Sequence, residues 1–220
     1  MPKADTKKNA TVDSPDDIAR HLSRLRTVPL PGTDEHTRVI LPYRQELIEH
    51  YRGIRYRPAA VLVLTYPGEH GLETVLIRRY TYDGVHSGQM AFPGGKAEPH
   101  DRNLVETALR EAREEVNIRP GDVEIIRSLT PVKIPVSRFE VTPVWGFTRH
   151  RPDFRPQPGE VAAIHPVSWD YLMNEPWQHE TRLYEGRPYP ILFLPLDGQQ
   201  IWGATAMVIA ELRHIWQQAR

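Results

Sequence analysis

The chain has 220 residues, 40% of them hydrophobic and 25% charged, which is typical of a globular protein. Its 28 Lys and Arg residues are balanced by 28 Asp and Glu residues, which argues against a nucleic-acid polymer as a partner because such partners select a basic excess. The absence of cysteine excludes disulfides, zinc–thiolate sites and thiol catalysis, and it favours a reducing, cytoplasmic location. No apolar run reaches the ~20 residues that a membrane span needs, so no membrane partner is expected.

The N-terminal region predicts helices ahead of the main body of the chain. Residues 1–14 are expected to be disordered, and residues 15–220 are expected to form a single domain with a helical extension at its start. Ser14 and Pro15 favour a helix start, because serine caps a first turn and proline fits its first position. This helix is predicted to end near Thr27. The Pro-rich residues 28–42 are predicted to be irregular, and a short helix is predicted for residues 43–50.

The remainder of the chain contains both strand and helix patterns. Residues 57–64 and 73–79 predict two apolar strands of a hairpin. A loop containing Gly94-Gly95 precedes a predicted helix over residues 103–116. Further strands are predicted at residues 123–128, 139–148, 161–167 and 191–194, and a closing helix at residues 203–218. Strands before and between few helices predict an α/β fold with a mixed sheet covered by helices on its faces.

The helix over residues 103–116 carries a face of acids beside its apolar face. At 100° per residue, Glu111, Glu114 and Glu115 share an arc of about 100°. Glu111 and Glu115 are like charges at i,i+4, which costs about 0.2–0.5 kcal/mol on a bare helix and which a divalent cation would remove. Magnesium prefers such oxygen ligands. Arg110 can reach Glu114 at i,i+4 and hold it in place.

The competing interpretation of the acidic face is a solvated surface with Arg–Glu pairs, since charge runs on helices are common. The preceding Gly94-Gly95 favours the metal site, because adjacent glycines let the backbone approach a ligand or place a carbonyl on a metal. The combination of the glycine loop and the three acids is much rarer by chance than either feature alone.

These residues resemble the box of the Nudix family, G-x5-E-x7-R-E-U-x-E-E-x-G-U, where U is aliphatic. Gly95 supplies the first glycine, and residues 110–118, REAREEVNI, supply the second half. The first acid is Asp101, and the segment between it and Arg110 is one residue longer than in the family. Asn117 stands where the family has glycine; asparagine is the next best residue for a left-handed helix end.

More of the chain, over about residues 57–215, resembles the coenzyme A pyrophosphatase-like branch of that family. The segments that carry this resemblance are residues 76–79, 87–95, 107–111, 134–143 and 201–207. Two positions depart from the branch signature: Gly84 replaces its arginine and Tyr80 replaces its serine.

The resemblance implies an α/β/α sandwich with a mixed sheet and a site that holds Mg²⁺ or Mn²⁺. The expected metal ligands are Glu111, Glu114, Glu115 and the carbonyl of Gly95. Arg110 is expected to orient the acids. The general base is left open between Glu115 and Glu160, and a solvated loop acid is the other interpretation of Glu160.

Substrate binding is expected from Gly94 and from Arg79, a candidate phosphate contact whose alternative is a surface cation at a strand end. Trp145 and Trp202 are expected in the core. The residues expected to line either a pocket or a homodimer surface are Trp169, Trp177, Tyr184 and Tyr189.

The resemblance implies a magnesium-dependent pyrophosphohydrolase that cleaves the diphosphate of a nucleoside-diphosphate-linked small molecule, with coenzyme A or an acyl-CoA as the expected substrate. ADP-ribose or a dinucleotide is the alternative within the enzyme class, because the box chemistry is the same for all of them. A non-catalytic nucleotide sensor is the alternative from another class, although a sensor has no need for all three acids.

Overall fold

The computed structural model describes residues 15–39, 53–69, 71–80, 88–184 and 187–219. The expected disorder of residues 1–14 and the short helix expected at residues 43–50 lie outside the described residues, as do Gly84 and the side chains of Tyr184 and Tyr189.

The core of the fold is an eight-stranded mixed sheet. Its central strand is β1 (Arg57–Gly68), which is parallel to β7 (Phe139–Phe147) and antiparallel to β2 (Gly71–Arg79). The other strands of this sheet are antiparallel to their neighbours: β3 (Met90–Ala91), β4 (Gly94–Lys96), β5 (Glu124–Ser128), β6 (Val132–Ile134) and β8 (Val161–Ser168).

Strands β3 and β4 lie between β1 and β2, where the hairpin opens. The hairpin pairs only near its turn, from Thr65 opposite Thr74 to Gly68 opposite Gly71. Farther from the turn, β4 pairs with the start of β1 and β3 pairs with the end of β2. This arrangement holds Gly94-Gly95 inside the sheet, close to Arg79 at the end of β2.

Helices cover both faces of the sheet, as the sandwich prediction requires. They are α1 (Pro15–Thr27), α2 (Thr33–Val39), α3 (Leu104–Val116), α4 (Trp169–Asn174) and α5 (Gly203–Gln218). Because successive strand residues point to opposite faces, Leu62 and Leu64 of β1 share one apolar cluster with α3, whereas Val63 packs in a second cluster with the other four helices. The α/β/α sandwich with a mixed sheet is therefore confirmed.

Several elements were not predicted, among them α2, α4 and β9 (Gln178–Tyr184). Helix α2 forms within the Pro-rich segment expected to be irregular, and its buried His36 and Glu35 pair with Glu211 (3.0 Å) and His214 (3.1 Å) of α5. These contacts join residues far apart in the chain, so no local pattern signals them. Strand β9 pairs with β10 (Arg187–Leu196), which pairs with β11 (Gln199–Ile201) in a separate three-stranded sheet.

The aromatic residues divide differently from the expectation. Trp145 is fully buried, as expected, and Trp169 stacks on it at 5.4 Å with only 2% exposure, so Trp169 belongs to the core rather than to a pocket or dimer surface. Trp202 is half-buried before α5, and the guanidinium of Arg182 lies 4.9 Å from its ring centre. Among the described residues, none of the helices has the length and apolar content that membrane crossing requires.

Candidate active site

The two ends of α3 fix the position of its acids. Asn103 caps the first turn, since its Oδ1 accepts a hydrogen bond from the Glu106 backbone N–H at 3.0 Å. Asn117 ends the helix in the left-handed conformation at φ 64°, and its N–H donates to the Arg113 carbonyl at 3.0 Å. The expectation that Asn117 takes over the glycine's backbone role is confirmed.

Arg110 is the centre of a hydrogen-bond network that joins the glycine segment to the acids of α3. Its Nε and Nη2 donate to the two carboxylate oxygens of Asp101 at 2.9 and 3.0 Å. Its Nη1 donates to Glu111 at 2.8 Å and to Glu114 at 3.1 Å, and Nη2 also donates to the carbonyl of Lys96 at 3.0 Å. Arg110 therefore does contact the acids, including the expected i,i+4 partner Glu114.

The role of Asp101 is a feature that the sequence analysis missed. Its carboxylate also accepts hydrogen bonds from Thr107 Oγ1 and from the Glu98 backbone N–H, both at 2.9 Å. The Arg110 guanidinium is the main reason why the pKa of Asp101 lies far below its usual value. Its place in the family motif was the available signal, but nothing local paired it with Arg110 across the intervening loop.

Glu115 is buried, with 1% of its surface exposed. Its Oε2 accepts a hydrogen bond from the Gly94 backbone N–H at 2.7 Å, and its Oε1 lies 3.8 Å from Nη2 of Arg79. Burial is the largest influence on this carboxyl and raises its pKa to about 7, against the opposing effects of Arg79 and the Gly94 N–H. Glu111 and Glu160 contribute to the same upward shift.

Gly94 and Gly95 each lie where a side chain would clash, but with different neighbours. At Gly94, with φ of 156°, a Cβ would lie 2.3 Å from the Ala60 carbonyl oxygen and 2.5 Å from Val61 Cα, so the close packing against β1 excludes a side chain. At Gly95, a Cβ would lie 2.5 Å from Oε2 of Glu111. The carboxylate of Glu111 thus lies directly on the Gly95 backbone, where burial raises its pKa.

Arg79 and Glu160 both lie beside these acids. Nη1 of Arg79 donates to the Gly94 carbonyl at 3.4 Å, so this cation lies inside the site rather than on an open strand end. Glu160 is exposed in the turn before β8, and its carbonyl accepts a hydrogen bond from the Tyr80 N–H at 3.3 Å. Its charge makes a small contribution to the raised pKa of both Glu111 and Glu115.

Across the described residues, no group of three or more His, Asp and Glu side chains is arranged to hold a metal ion. Glu111 and Glu114 share Nη1 of Arg110, and Glu115 is directed at Gly94. The donors nevertheless have the chemistry that magnesium prefers, namely carboxylate oxygens and a nearby backbone carbonyl. The partial burial of Glu111, which raises its pKa, leaves a carboxylate that a cation would stabilise.

Comparison with known proteins identifies the family of this chain. The family model for the NUDIX domain matches residues 55–185, which include β1, the glycine segment and α3. The chain belongs to the Nudix hydrolase family. It is 38% identical over 158 residues to the "Uncharacterized Nudix hydrolase NudL" of Pectobacterium atrosepticum, covering 71% of this chain and 81% of that protein.

Two further proteins show the range of the similarity. "Nudix hydrolase 15, mitochondrial" of Arabidopsis thaliana is 34% identical over 165 residues, which cover 70% of this chain and 58% of that protein. The crystal structure of a MutT protein from Methanosarcina mazei superposes with a TM-score of 0.49 and 18% identity, over 74% of this chain and 95% of that chain.

Family membership establishes the general activity. This Nudix protein is an enzyme, a hydrolase of small nucleoside-diphosphate derivatives, and Nudix hydrolases generally use a divalent metal ion.

Proposed function

We propose that this Nudix hydrolase cleaves the diphosphate bridge of coenzyme A or an acyl-CoA. The observation that supports this substrate is the contact between separate segments that resemble the coenzyme A branch. The Arg79 N–H donates to the Gln89 carbonyl at 3.1 Å, and Thr205 Oγ1 donates to the Met90 carbonyl at 2.9 Å. Residues from three distant parts of the sequence therefore meet at the strand that leads into Gly94-Gly95.

The proposed metal ligands are Glu111, Glu114, Glu115 and the carbonyl of Gly95, which would hold Mg²⁺ or Mn²⁺. When bound, such an ion screens the charge of a diphosphate and lowers the pKa of a water molecule. Arg110 positions the acids from one side, because the same guanidinium contacts Glu111, Glu114 and the loop residue Asp101. Gly94 and Arg79 form the proposed substrate contacts, with Arg79 supplying a cation for a phosphate oxygen.

Glu115 and Glu160 remain the two candidates for the general base. Glu115 is buried and its pKa is raised to about 7, which suits proton transfer near neutral pH. Glu160 is exposed, and its side chain makes no hydrogen bond or ion pair within the described residues, so it is accessible to water. Loss of a general base lowers kcat by about 10²–10⁴-fold, so Glu160→Gln distinguishes the two: a small effect on kcat assigns the base to Glu115.

The test of the proposed substrate is product chromatography of the purified protein with Mg²⁺ or Mn²⁺. Coenzyme A, an acetylated derivative, ADP-ribose, NADH and a diadenosine polyphosphate are each supplied at equal concentration. We expect coenzyme A or its thioester to give the highest kcat/KM, with phosphopantetheine (or its acyl derivative) and adenosine 3′,5′-bisphosphate as products. A higher kcat/KM for ADP-ribose or a dinucleotide would show that this compound, rather than coenzyme A, is the preferred substrate. Binding without any hydrolysis would indicate a nucleotide sensor.

The glycine at position 84 affects the expected preference for coenzyme A. Where the branch has arginine, a guanidinium can bind a phosphate in two-point fashion, and glycine offers no charge. A lost hydrogen bond to a charged group corresponds to roughly 10–150-fold in kcat/KM. We therefore propose that the preference for coenzyme A over dephospho-coenzyme A stays below about a hundredfold, and that Gly84→Arg increases it. A wild-type preference well above that value would contradict the role given to position 84.

A further inference from the structure

A cleft of about 500 Å³ opens at the C-terminal end of α3. Its walls come from the turn that follows α3 and from the long loop between β7 and β8. The residues whose charges matter there are Arg119, Asp122, His150, Arg151, Asp153 and Arg155.

The charges of the cleft leave two guanidinium groups available. Arg155 is bound by Asp153 at 2.6 and 3.0 Å, so these two residues neutralise each other. Within the described residues, the side chains of Arg119 and Arg151 make no hydrogen bond or ion pair. Asp122 is the remaining acid of the cleft, and His150 also lines it.

The end of α3 does not oppose an anion here, although helix C-termini carry partial negative charge. Its last carbonyls are occupied by backbone donors: the Arg155 N–H binds the Val116 carbonyl at 3.3 Å, and the Gln157 N–H binds the Glu115 carbonyl at 2.9 Å. The same bonds fix the loop on the helix end. The walls of the cleft are therefore anchored to the fold, with Arg119 in the turn after α3 and Arg151 in the loop after β7.

We propose that this cleft binds a phosphate monoester through Arg119 and Arg151. Two guanidinium groups that line one cleft suit a dianion with several acceptor oxygens, because each can form charged, paired hydrogen bonds. The ligand has two sources: a phosphate of the substrate that is remote from its diphosphate, or a free phosphomonoester. Asn117, which lines the cleft, is two residues beyond Glu115, an advance of about 3 Å along the helix axis with a rotation of about 200° around it, so a substrate phosphate in the cleft would pass around the end of α3. The substrate source rests on the proposed function, whereas the phosphate-binding cleft itself does not.

The first experiment titrates the metal-free protein with inorganic phosphate at constant ionic strength and follows binding by calorimetry. Without metal, the carboxylates of α3 repel phosphate, so the cleft dominates the signal. We expect the wild type and Arg149→Gln to bind phosphate, and the double variant Arg119→Gln/Arg151→Gln to bind it at least about 10-fold more weakly. Arg149 is the matched control, an exposed arginine of the same loop that does not line the cleft.

The second experiment compares kcat/KM for coenzyme A and dephospho-coenzyme A in the same three proteins. If the double variant loses phosphate binding and its preference for coenzyme A, the cleft binds the substrate's own phosphate. If it loses only phosphate binding, the ligand is a free phosphomonoester, and the proposal that the cleft binds a phosphate monoester is supported. Equal phosphate binding in the double variant and Arg149→Gln, or none in the wild type, overturns the proposal. If coenzyme A is not hydrolysed at all, the proposed substrate is wrong, and the phosphate titration still decides the cleft.

Discussion

The guanidinium of Arg110 binds the carboxylate of Asp101 through two nearly parallel hydrogen bonds of 2.9 and 3.0 Å. Asp101 lies in the loop before α3 and Arg110 in the middle of the helix, so this pair ties the two halves of the Nudix box together. The remaining nitrogen of Arg110 is free to contact Glu111 and Glu114. A single planar group thus connects the loop to both acids.

Replacement of Arg110 by lysine is expected to lower kcat about 10- to 100-fold while the protein stays folded, because one ammonium group cannot reproduce the fork and misplaced acids lose catalytic geometry. The measurement is steady-state hydrolysis together with circular dichroism. Arg113→Lys is the matched control on an exposed part of the same helix and should keep its activity. An unchanged kcat in folded Arg110→Lys would assign Arg110 to an ordinary surface role.

Removal of metal is expected to abolish hydrolysis, and Glu114→Gln is expected to lower kcat at least ~10²-fold, the scale of losing a charge-stabilising group. The assay is product release with Mg²⁺, with Mn²⁺ and with excess chelator. Glu106→Gln serves as the control, because the Glu106 carboxylate, in the first turn of α3 and away from the acids, pairs with Arg102. Full activity in excess chelator would refute the metal requirement.

Replacement of Gly94 by alanine is expected to lower stability, whereas replacement of Gly95 by alanine is expected to lower activity. Gly94→Ala places a Cβ against rigid backbone of β1, so we expect a loss of at least about 2 kcal/mol in the free energy of unfolding. The atoms nearest to a Cβ at position 95 belong to the flexible end of Glu111, so Gly95→Ala should lose no more than about 1 kcal/mol of stability while kcat falls about 10-fold or more.

Urea unfolding and kcat are measured for both glycine variants. Gly121→Ala, where a Cβ meets no atom within 4 Å, is the control and should change neither. If Gly95→Ala retains full activity, the placement of Glu111 on the Gly95 backbone has no catalytic importance.

Variants of Asn117 test how much the left-handed end of α3 contributes to stability. Alanine at this left-handed position is expected to lower the free energy of unfolding by about 1–2 kcal/mol, because a Cβ is disfavoured there and asparagine's local compensation is lost. Glycine removes that backbone cost but loses the hydrogen bond from Nδ2 to the Asp153 carbonyl, so its stability should stay within about 1 kcal/mol of the wild type. Equal destabilisation by both variants in urea unfolding would show that the side-chain bond, not the backbone conformation, matters.

Much of the site was predictable from local sequence. The periodicity of residues 103–116 gave α3 and the shared face of Glu111, Glu114 and Glu115, because helical spacing depends only on residues a few positions apart. The asparagine at position 117 gave the left-handed end of the helix, since backbone preference is a property of the residue itself. Together with Gly94-Gly95, these features were enough to recognise the family.

Tertiary structure decided what depends on distant parts of the chain meeting. Only the insertion of β4 between β1 and β2 brings the Gly94 N–H to Glu115 and buries that carboxylate, which raises its pKa to about 7. Helix α2 pairs with α5, and the loop before Glu160 packs on the end of α3. Both contacts also join residues that are far apart in the chain. The burial of a side chain and its electrostatic partners depend on which surfaces pack against each other and exclude water. They are therefore properties of the packed sandwich and not of any single segment of the sequence.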